Sequence, residues 1–277
     1  MALPQLPQDI IDVIIQTIAE TSPFDAKQLG DLSLVSRAFV EQSQRYLFRT
    51  ISLRRLDYKP SSFRLSDNAD IKGSAFQDLF RTSPHVFRYI RTWLLQIPWA
   101  ITGPEAAAII NACTRLQVLE LASPSIGEVI DWHTIDPALR SALISQIHST
   151  LLDKLTLSRV KHIPQFLLAT FGLFTRLQLE YSFSSHFHSS QPNDAATTVP
   201  SKLTTLSIKE STPLLRFFLV HHPSMFSQIL EVDVDFGRFN GVEDSSLMGD
   251  LLHKVCKIKE FHAILLTNGK FYSVYHH

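Results

Sequence analysis

The sequence predicts a mixed α/β chain in which a three-helix module precedes an irregular α/β repeat domain, whose units stack into a solenoid with a curved parallel sheet. Two observations lead to this fold class. Apolar residues in the first part of the chain recur at helical spacing, and a strand-like apolar motif recurs along the rest, with helical segments between several copies. We expect residues 1–53 to form the helical module and residues 54–277 to form the repeat domain.

The first predicted helix has a wider apolar arc than one buried face requires. Pro7 suits a first helical position, because its nitrogen carries no hydrogen that would be left unpaired there. The polar residues that form one narrow stripe along this helix are Asp9, Asp12, Gln16 and Glu20. Nearly every other position from 6 to 18 is apolar, whereas a surface helix usually shows an apolar arc of about 100°. The helix therefore has a second apolar contact to make beyond its own module.

Two more helices and a strand complete the predicted module. Asp25 begins the second helix, with Gln28 three residues later in a pattern similar to a capping box. Ser36 can cap a third helix that runs from Arg37 to about Leu47. Polar and apolar residues then alternate over 50–53, which indicates a strand.

This arrangement resembles the F-box, whose pattern is Leu-Pro with a following pair of apolar residues, an apolar-Val-Cys-Arg-x-Trp core, and Leu-Phe or Leu-Trp before a strand. The matching residues are Leu6, Pro7, Ile10, Ile11, Ile14, Leu34, Val35, Ser36, Arg37, Phe39, Leu47 and Phe48. Ser36 and Phe39 depart from the pattern, since the family often has Cys and Trp there. An ordinary N-terminal helical cap is the alternative interpretation.

The F-box resemblance covers about a fifth of the chain. It implies a module that docks on a Skp-type adaptor and, through that adaptor, joins a cullin ubiquitin ligase. The residues expected to contact the adaptor are Leu6, Pro7, Ile10, Ile11, Ile14, Val35 and Phe39. Several of them must also hold the module together.

A motif of three apolar residues, spaced three and then two apart, recurs along the second part of the chain. Its middle residues are Trp93, Leu119, Leu155, Leu177, Leu206, Val232 and Phe261. The chain is similar here to leucine-rich repeats, in which units of about 20–29 residues pair a short strand with a helix or 3₁₀ turn. Helical spacing indicates helices over 104–111, 136–151 and 246–255. A non-repeating α/β domain is the alternative.

The leucine-rich repeat pattern continues to an Asn or Cys three residues after the last Leu. The residues at that position here are Pro98, Pro124, Val160, Ser182, Ser211, Gly237 and Leu266. None of them can supply an Asn ladder, so we expect an irregular repeat. Segments 57–70 and 191–198 are predicted to be polar surface loops. A final strand at 271–275 has no capping helix after it, so we expect the repeat domain to be incomplete at that end or to bury it in a partner.

The composition and motifs argue against several classes of protein. Lys and Arg together number 26, as do Asp and Glu, and a chain without basic excess is unlike a nucleic-acid binder. The apolar stretches are shorter than the ~20 residues of a membrane span, and the N-terminus lacks the pattern of a secretory leader. Two cysteines, Cys113 and Cys256, make no disulfide framework and lack metal-site spacing. We expect an intracellular protein, cytoplasmic or nuclear.

Catalytic signatures are absent from the sequence, so we expect no enzyme activity, cofactor or metal. Asp233 and Asp235 share one strand face and could bind a divalent cation, but a strand with one solvated side explains them as well. An enzyme would need a pocket that joins these carboxylates to a histidine. His186 and His188 flank Phe187 in a serine-rich segment and are interpreted as solvated.

The polar side of the predicted repeat strands is the candidate surface for a target protein. Its residues are Glu120, Thr156, Gln178, Ser207, Asp233 and His262, with Leu94 in the first unit. The first functional hypothesis is a substrate receptor of a Skp-cullin-F-box type ubiquitin ligase. The alternative is a leucine-rich-repeat interaction scaffold without ligase attachment. The two differ in whether the apolar excess over 10–18 is covered by residues such as Phe24, Leu53 or Tyr58.

Overall fold

The computed structural model describes residues 7–21, 26–53, 62–65, 69–96, 104–123, 128–182, 201–238, 242–255, 257–267 and 270–276. The described helices are α1 (Gln8–Thr21), α2 (Ala26–Val35), α3 (Arg37–Leu47), α4 (Gly73–Thr82), α5 (Pro104–Ala112), α6 (Pro137–Ile147), α7 (Gln165–Leu168), α8 (Thr212–His221) and α9 (Val242–Lys254). The described strands are β1 (Thr50–Leu53), β2 (Ser62–Leu65), β3 (Ala69–Lys72), β4 (Thr92–Gln96), β5 (Val118–Ala122), β6 (Ile130–Asp131), β7 (Lys154–Ser158), β8 (Val160–Lys161), β9 (Arg176–Glu180), β10 (Thr205–Lys209), β11 (Glu231–Arg238), β12 (Glu260–Thr267) and β13 (Lys270–His276).

The chain divides into two compact units. Unit 1 comprises Met1–Val118 and Asp136–Gln146, and unit 2 comprises Leu119–Ile135 and Ile147–His277. The helical module and the strand after it belong to unit 1 together with the first apolar motif, around Trp93. The first boundary between the compact units along the chain lies after Val118.

The predicted three-helix module forms the start of unit 1. Its core consists of Ile11, Ile15 and Leu29, all buried, with Phe39 and Tyr46 packed against them. Ser36 has extended backbone and accepts a hydrogen bond from the Ala38 N–H at 3.3 Å, which confirms its role as the cap of α3. Capping there is worth about 1 kcal/mol, because it satisfies one of the orphan donors of the first helical turn.

The sheet of unit 1 contains strands that the sequence did not reveal. β1 pairs in parallel with β4 and antiparallel with β2, and β2 pairs antiparallel with β3. The prediction of a loop across 57–70 is therefore wrong at 62–65 and 69–70, whereas 57–61 and 66–68 lie outside the described residues. The open edge of β1 supplies hydrogen-bond partners to β2, and such pairing does not require an apolar period.

In unit 2 the residues of the repeated apolar motif lie on neighbouring strands and are aligned in register. In the order β13-β12-β11-β10-β9-β7-β5, the six strands from β12 to β5 run parallel and β13 is antiparallel. The middle motif residues align in register, as in the pairs Leu155↔Leu177, Leu177↔Leu206 and Leu206↔Val232. All of these residues are buried. Each predicted repeat strand is confirmed, as is a final strand at β13.

Helices and aromatic rings fill the buried side of unit 2. Phe171 and Phe218 are both fully buried, with ring centroids 5.9 Å apart. α9 matches the helix predicted near residue 250, while in unit 1 α5 matches the one predicted at 104–111. The helix predicted over 136–151 ends earlier, at Ile147, and Leu151 is half exposed rather than part of its apolar face.

Two buried serines, at positions where the leucine-rich repeat pattern has Asn or Cys, bond to backbone groups near neighbouring strands. Ser182 accepts from the Val160 N–H at 3.2 Å, and its hydroxyl lies 3.0 Å from the Leu157 carbonyl oxygen. Ser211 accepts in the same way from the Ser182 N–H at 2.8 Å and donates to the Lys209 carbonyl at 3.0 Å. A hydroxyl both accepts and donates, so each serine can bond to a backbone N–H and to a backbone carbonyl at the same time.

The turn after three successive strands repeats the same unusual backbone. Arg159, Tyr181 and Glu210 have φ values of 58°, 49° and 45°, in the left-handed region that disfavours non-glycine residues by about 1 kcal/mol each. Their N–H groups donate, each at 2.7 Å, to the carbonyls of Glu180, Lys209 and Asp235 on the next strand. These bonds offset the strain and hold the carboxyl edge of the sheet in register.

Candidate functional site

Large apolar side chains lie exposed on the first helices of unit 1. Val13 is 61% exposed on α1, and Leu34 and Val35 are 85% and 72% exposed at the end of α2. The physical cause is the wide apolar arc of α1. Ile11 and Ile15 lie one helical turn apart and fill the core, so apolar residues elsewhere around the helix remain in water. We call Ile10, Val13, Leu34 and Val35 the exposed apolar set.

The residues expected to contact an adaptor divide between this surface and the core. Pro7, Ile10 and Val35 are exposed, and Ile14 is half-buried. Ile11 is 2% exposed and belongs to the core, with Phe39 packed against it. These two side chains hold the module together because they fill the space between its helices. Leu6 lies outside the described residues.

The set of residues expected to contact an adaptor omitted two exposed apolar residues, Val13 and Leu34. Val13 lies three residues after Ile10, so helical periodicity places both on one side of α1. Leu34 precedes Val35 at the end of α2, where the chain turns into α3. Phe24 and Tyr58, which with Leu53 were to decide whether the apolar excess is covered, lie outside the described residues, and of Leu53 only the backbone is described. The exposed fractions themselves show that Ile10 and Val13 stay accessible.

The polar face of the unit 2 sheet is the second candidate surface. Glu120, Gln178 and Ser207 are half-buried there, as are Asp233 and His262. Thr156 is different, because it is 3% exposed and its hydroxyl has no hydrogen-bond partner among the residues that the structure describes. Its neighbour in register is the longer Gln178, and a short side chain beside longer ones is shielded from solvent. The expectation that Thr156 contributes accessible surface is corrected.

Hydrogen bonds join side chains of four strands across this face. Ser207 Oγ donates to Asp233 Oδ2 at 3.1 Å. His262 places Nδ1 3.1 Å from Asp233 Oδ1 and Nε2 3.0 Å from Ser273 Oγ. Asp233 and a histidine thus meet, as an enzyme would need, and the order Asp–His–Ser is that of hydrolase triads. Asp233 and His262 remain 38% and 27% exposed, however, and water screens the electrostatic stabilisation on which such catalysis depends.

Other candidate chemistry finds little support in the described part of the chain. No group of three or more His, Cys, Asp or Glu side chains is placed there to hold a metal ion. Burial raises the pKa of the Cys113 thiol well above its usual range, which leaves it protonated and unreactive. His186, His188 and Cys256 lie outside the described residues. Among the described helices, none has the length and apolar character needed to cross a bilayer.

Comparison of the chain with protein-family models, with curated proteins and with solved structures finds no match.

Proposed function

We propose that this protein is a substrate-receptor subunit of a Skp-cullin-F-box type ubiquitin ligase. The three-helix module binds the Skp-type adaptor, and the polar sheet face of unit 2 binds the target. The observation that carries the proposal is the exposed apolar set, on a module whose sequence resembles the F-box.

The exposure of these side chains makes adaptor docking favourable. Burying an exposed Val or Leu side chain gains about 1.5–3 kcal/mol through the hydrophobic effect. Leu34, at 85% exposed, is among the most exposed large apolar residues described. A few side chains that become fully desolvated at the centre of an interface usually carry most of its binding energy. The module therefore has a surface that a partner would stabilise.

In this proposal the receptor acts by positioning. The adaptor fixes the receptor on the ligase, and the sheet face holds the target nearby. Tethering raises the effective concentration of target lysines near the ubiquitin-charged enzyme to the millimolar range for short connections. The receptor itself makes and breaks no covalent bond.

The test is binding of the full chain to a purified Skp-type adaptor, measured by isothermal titration calorimetry. We expect Val13→Asp combined with Leu34→Asp to weaken binding by at least about 30-fold, which corresponds to the loss of a hot spot of 2 kcal/mol. Both side chains point into water, so the free protein should keep its fold.

Val220→Asp is the matched control. Val220 is 66% exposed on α8 of unit 2 and should leave adaptor binding unchanged. Failure of the unmodified chain to bind, or equal binding by the double variant, would overturn the proposal. The interaction scaffold without ligase attachment would then be favoured, because the polar sheet face of unit 2 does not depend on an adaptor.

A further inference from the structure

A groove in unit 1 gathers positive charge in a chain whose formal net charge is zero. Its lining includes four arginines, namely Arg45, Arg49, Arg91 and Arg115, and one carboxylate, Asp12. Its volume is about 500 Å³. This volume is in the range of small-molecule sites, which run from about 300 to 1,000 Å³.

The sheet places two of these arginines side by side. Arg49 and Arg91 directly precede β1 and β4, whose first residues Thr50 and Thr92 are paired in register. The Arg91 N–H donates to the Arg49 carbonyl at 2.8 Å, and the Gln117 N–H donates to the Arg91 carbonyl at 2.8 Å. Neighbouring strands lie about 4.8 Å apart, so the two charged side chains begin from adjacent backbone positions.

Several other exposed arginines of this protein have carboxylate partners. Arg81 lies 3.0 Å from Glu105, and Arg216 lies 3.5 Å from Glu243. In contrast, the side chains of Arg49, Arg91 and Arg115 form no ion pair or hydrogen bond with any described residue. Like charges placed side by side on a sheet are destabilising. A ligand of opposite charge would remove this repulsion.

The neighbouring groups also hold the groove in shape. Arg45 pairs with Glu41 at 2.8 Å and lies 6.0 Å from the centre of the Tyr89 ring. Arg88 stacks on that ring at 4.9 Å and donates to the Tyr89 hydroxyl at 2.7 Å. Tyr89 is therefore fixed as a wall of the groove. Asp12 accepts from the Gln8 amide at 2.8 Å, which orients its carboxylate.

We propose that this groove binds a small organic molecule that carries two or more phosphate groups. A guanidinium fork donates two parallel hydrogen bonds to phosphate, and each phosphate monoester carries about −1.5 to −2 charges at neutral pH. Because Arg45 is paired with Glu41, the groups left to bind a ligand are the three guanidinium groups of Arg49, Arg91 and Arg115, which are enough to engage two phosphate groups through charge-assisted hydrogen bonds. The Asp12 carboxylate can accept a hydrogen bond from a hydroxyl of the same ligand. The proposal does not rest on adaptor binding, because Asp12 lines the groove while Ile10 and Val13 belong to the exposed apolar set.

The test is calorimetric titration of the full chain with inorganic pyrophosphate at fixed ionic strength. We expect saturable binding that weakens as salt is raised, since exposed charges are screened. Arg49→Gln combined with Arg115→Gln should weaken binding at least about tenfold, because two charge-assisted forks are lost. Arg49→Lys keeps the charge without the fork and should give an intermediate loss. Both residues are exposed, so the variants should unfold at the same temperature as the unmodified chain.

Arg216→Gln is the control, because Arg216 is an exposed arginine of unit 2 paired with a carboxylate. No saturable binding up to about 10 mM pyrophosphate, which is weaker than any useful site, would overturn the proposal. Equal binding by the double variant and the control would overturn it too. A hexa-aspartate peptide is titrated in parallel. If it binds more tightly than pyrophosphate, the groove takes an acidic protein segment and the phosphate assignment is wrong.

Discussion

Two buried serine hydroxyls, those of Ser182 and Ser211, bond to backbone groups in unit 2. The serines Ser182 and Ser211 stand where a leucine-rich repeat has Asn or Cys, and their identity alone indicated an interrupted ladder. In the structure each hydroxyl has no exposed surface, accepts a hydrogen bond from the backbone N–H of a preceding segment and donates to a backbone carbonyl. A serine is common on protein surfaces, so its type does not reveal such a role. Only the depth and the partners of the hydroxyl distinguish it from a solvated one.

Removing one of these hydroxyls should destabilise unit 2. Ser211→Ala leaves the buried Ser182 N–H without its acceptor, and an unsatisfied buried donor costs about 1–3 kcal/mol. We expect this decrease in the free energy of unfolding, measured by urea denaturation. Ser145→Ala, at an exposed position of α6, should change it by less than about 0.5 kcal/mol. Equal values for the two variants would contradict the role of the ladder.

The carboxylate of Asp131 predicts a dependence of stability on pH. His162 Nδ1 lies 2.8 Å from Asp131 Oδ1, and this bond, with help from the His133 N–H and Lys161, holds the pKa of Asp131 at about 2. The pKa of the folded state is below the ordinary value of 3.8, so the stabilisation is present above pH 3.8 and is lost as pH falls through about 2.

Asp131→Asn keeps the shape of the side chain without its charge. At pH 5 the free energy of unfolding of the variant should be about 1 kcal/mol lower than that of the unmodified protein. This difference should shrink steadily as pH falls toward about 2. Urea denaturation at several pH values measures it. Asp250→Asn, on the exposed side of α9, serves as the control and should show no such convergence. A difference that stays constant with pH would rule out this account.

At the scale of helices and strands, the apolar pattern of the sequence predicted those elements whose burial follows from a local spacing of apolar residues. The recurring motif of three apolar residues placed the strands around Leu155, Leu177 and Leu206, and these residues are buried on one face of the sheet. The broad apolar arc of α1 likewise indicated that apolar side chains such as Ile10 stay exposed, although Val13 was not among the residues expected at the surface. β2 and β3 were not predicted, since their pairing depends on the free edge of β1 rather than on their own apolar residues. The burial of Thr156 also depends on neighbours from another strand.

The arginine groove illustrates a further limit at the element scale. Arg49, Arg91 and Arg115 are far apart in the sequence, and a chain with equal numbers of positive and negative residues gives no sign of local excess. They line one groove because Arg49 directly precedes β1, Arg91 directly precedes β4, and Arg115 lies shortly before β5. The site depends on the register between neighbouring strands, and this register cannot be deduced from the composition of the chain.

For the whole molecule, two proposals place two partners on different faces of α1. Asp12 and Gln16, one helical turn apart, line the arginine groove, while Ile10 and Val13 form part of the exposed apolar set. The core face with Ile11 and Ile15 completes the circumference of the helix. A partner on one face leaves the others open, provided that α1 does not shift in the module.

Binding of the adaptor and binding of pyrophosphate should therefore be independent. We expect the dissociation constant for pyrophosphate, titrated into the full chain saturated with adaptor, to stay within about twofold of its value for the free chain, since no coupling free energy links the faces. Reciprocity requires the same of adaptor affinity in saturating pyrophosphate, which provides an internal control. A change of about tenfold or more in both dissociation constants would show that α1 moves when the adaptor docks. The affinity of the groove for its ligand would then depend on whether the adaptor is bound.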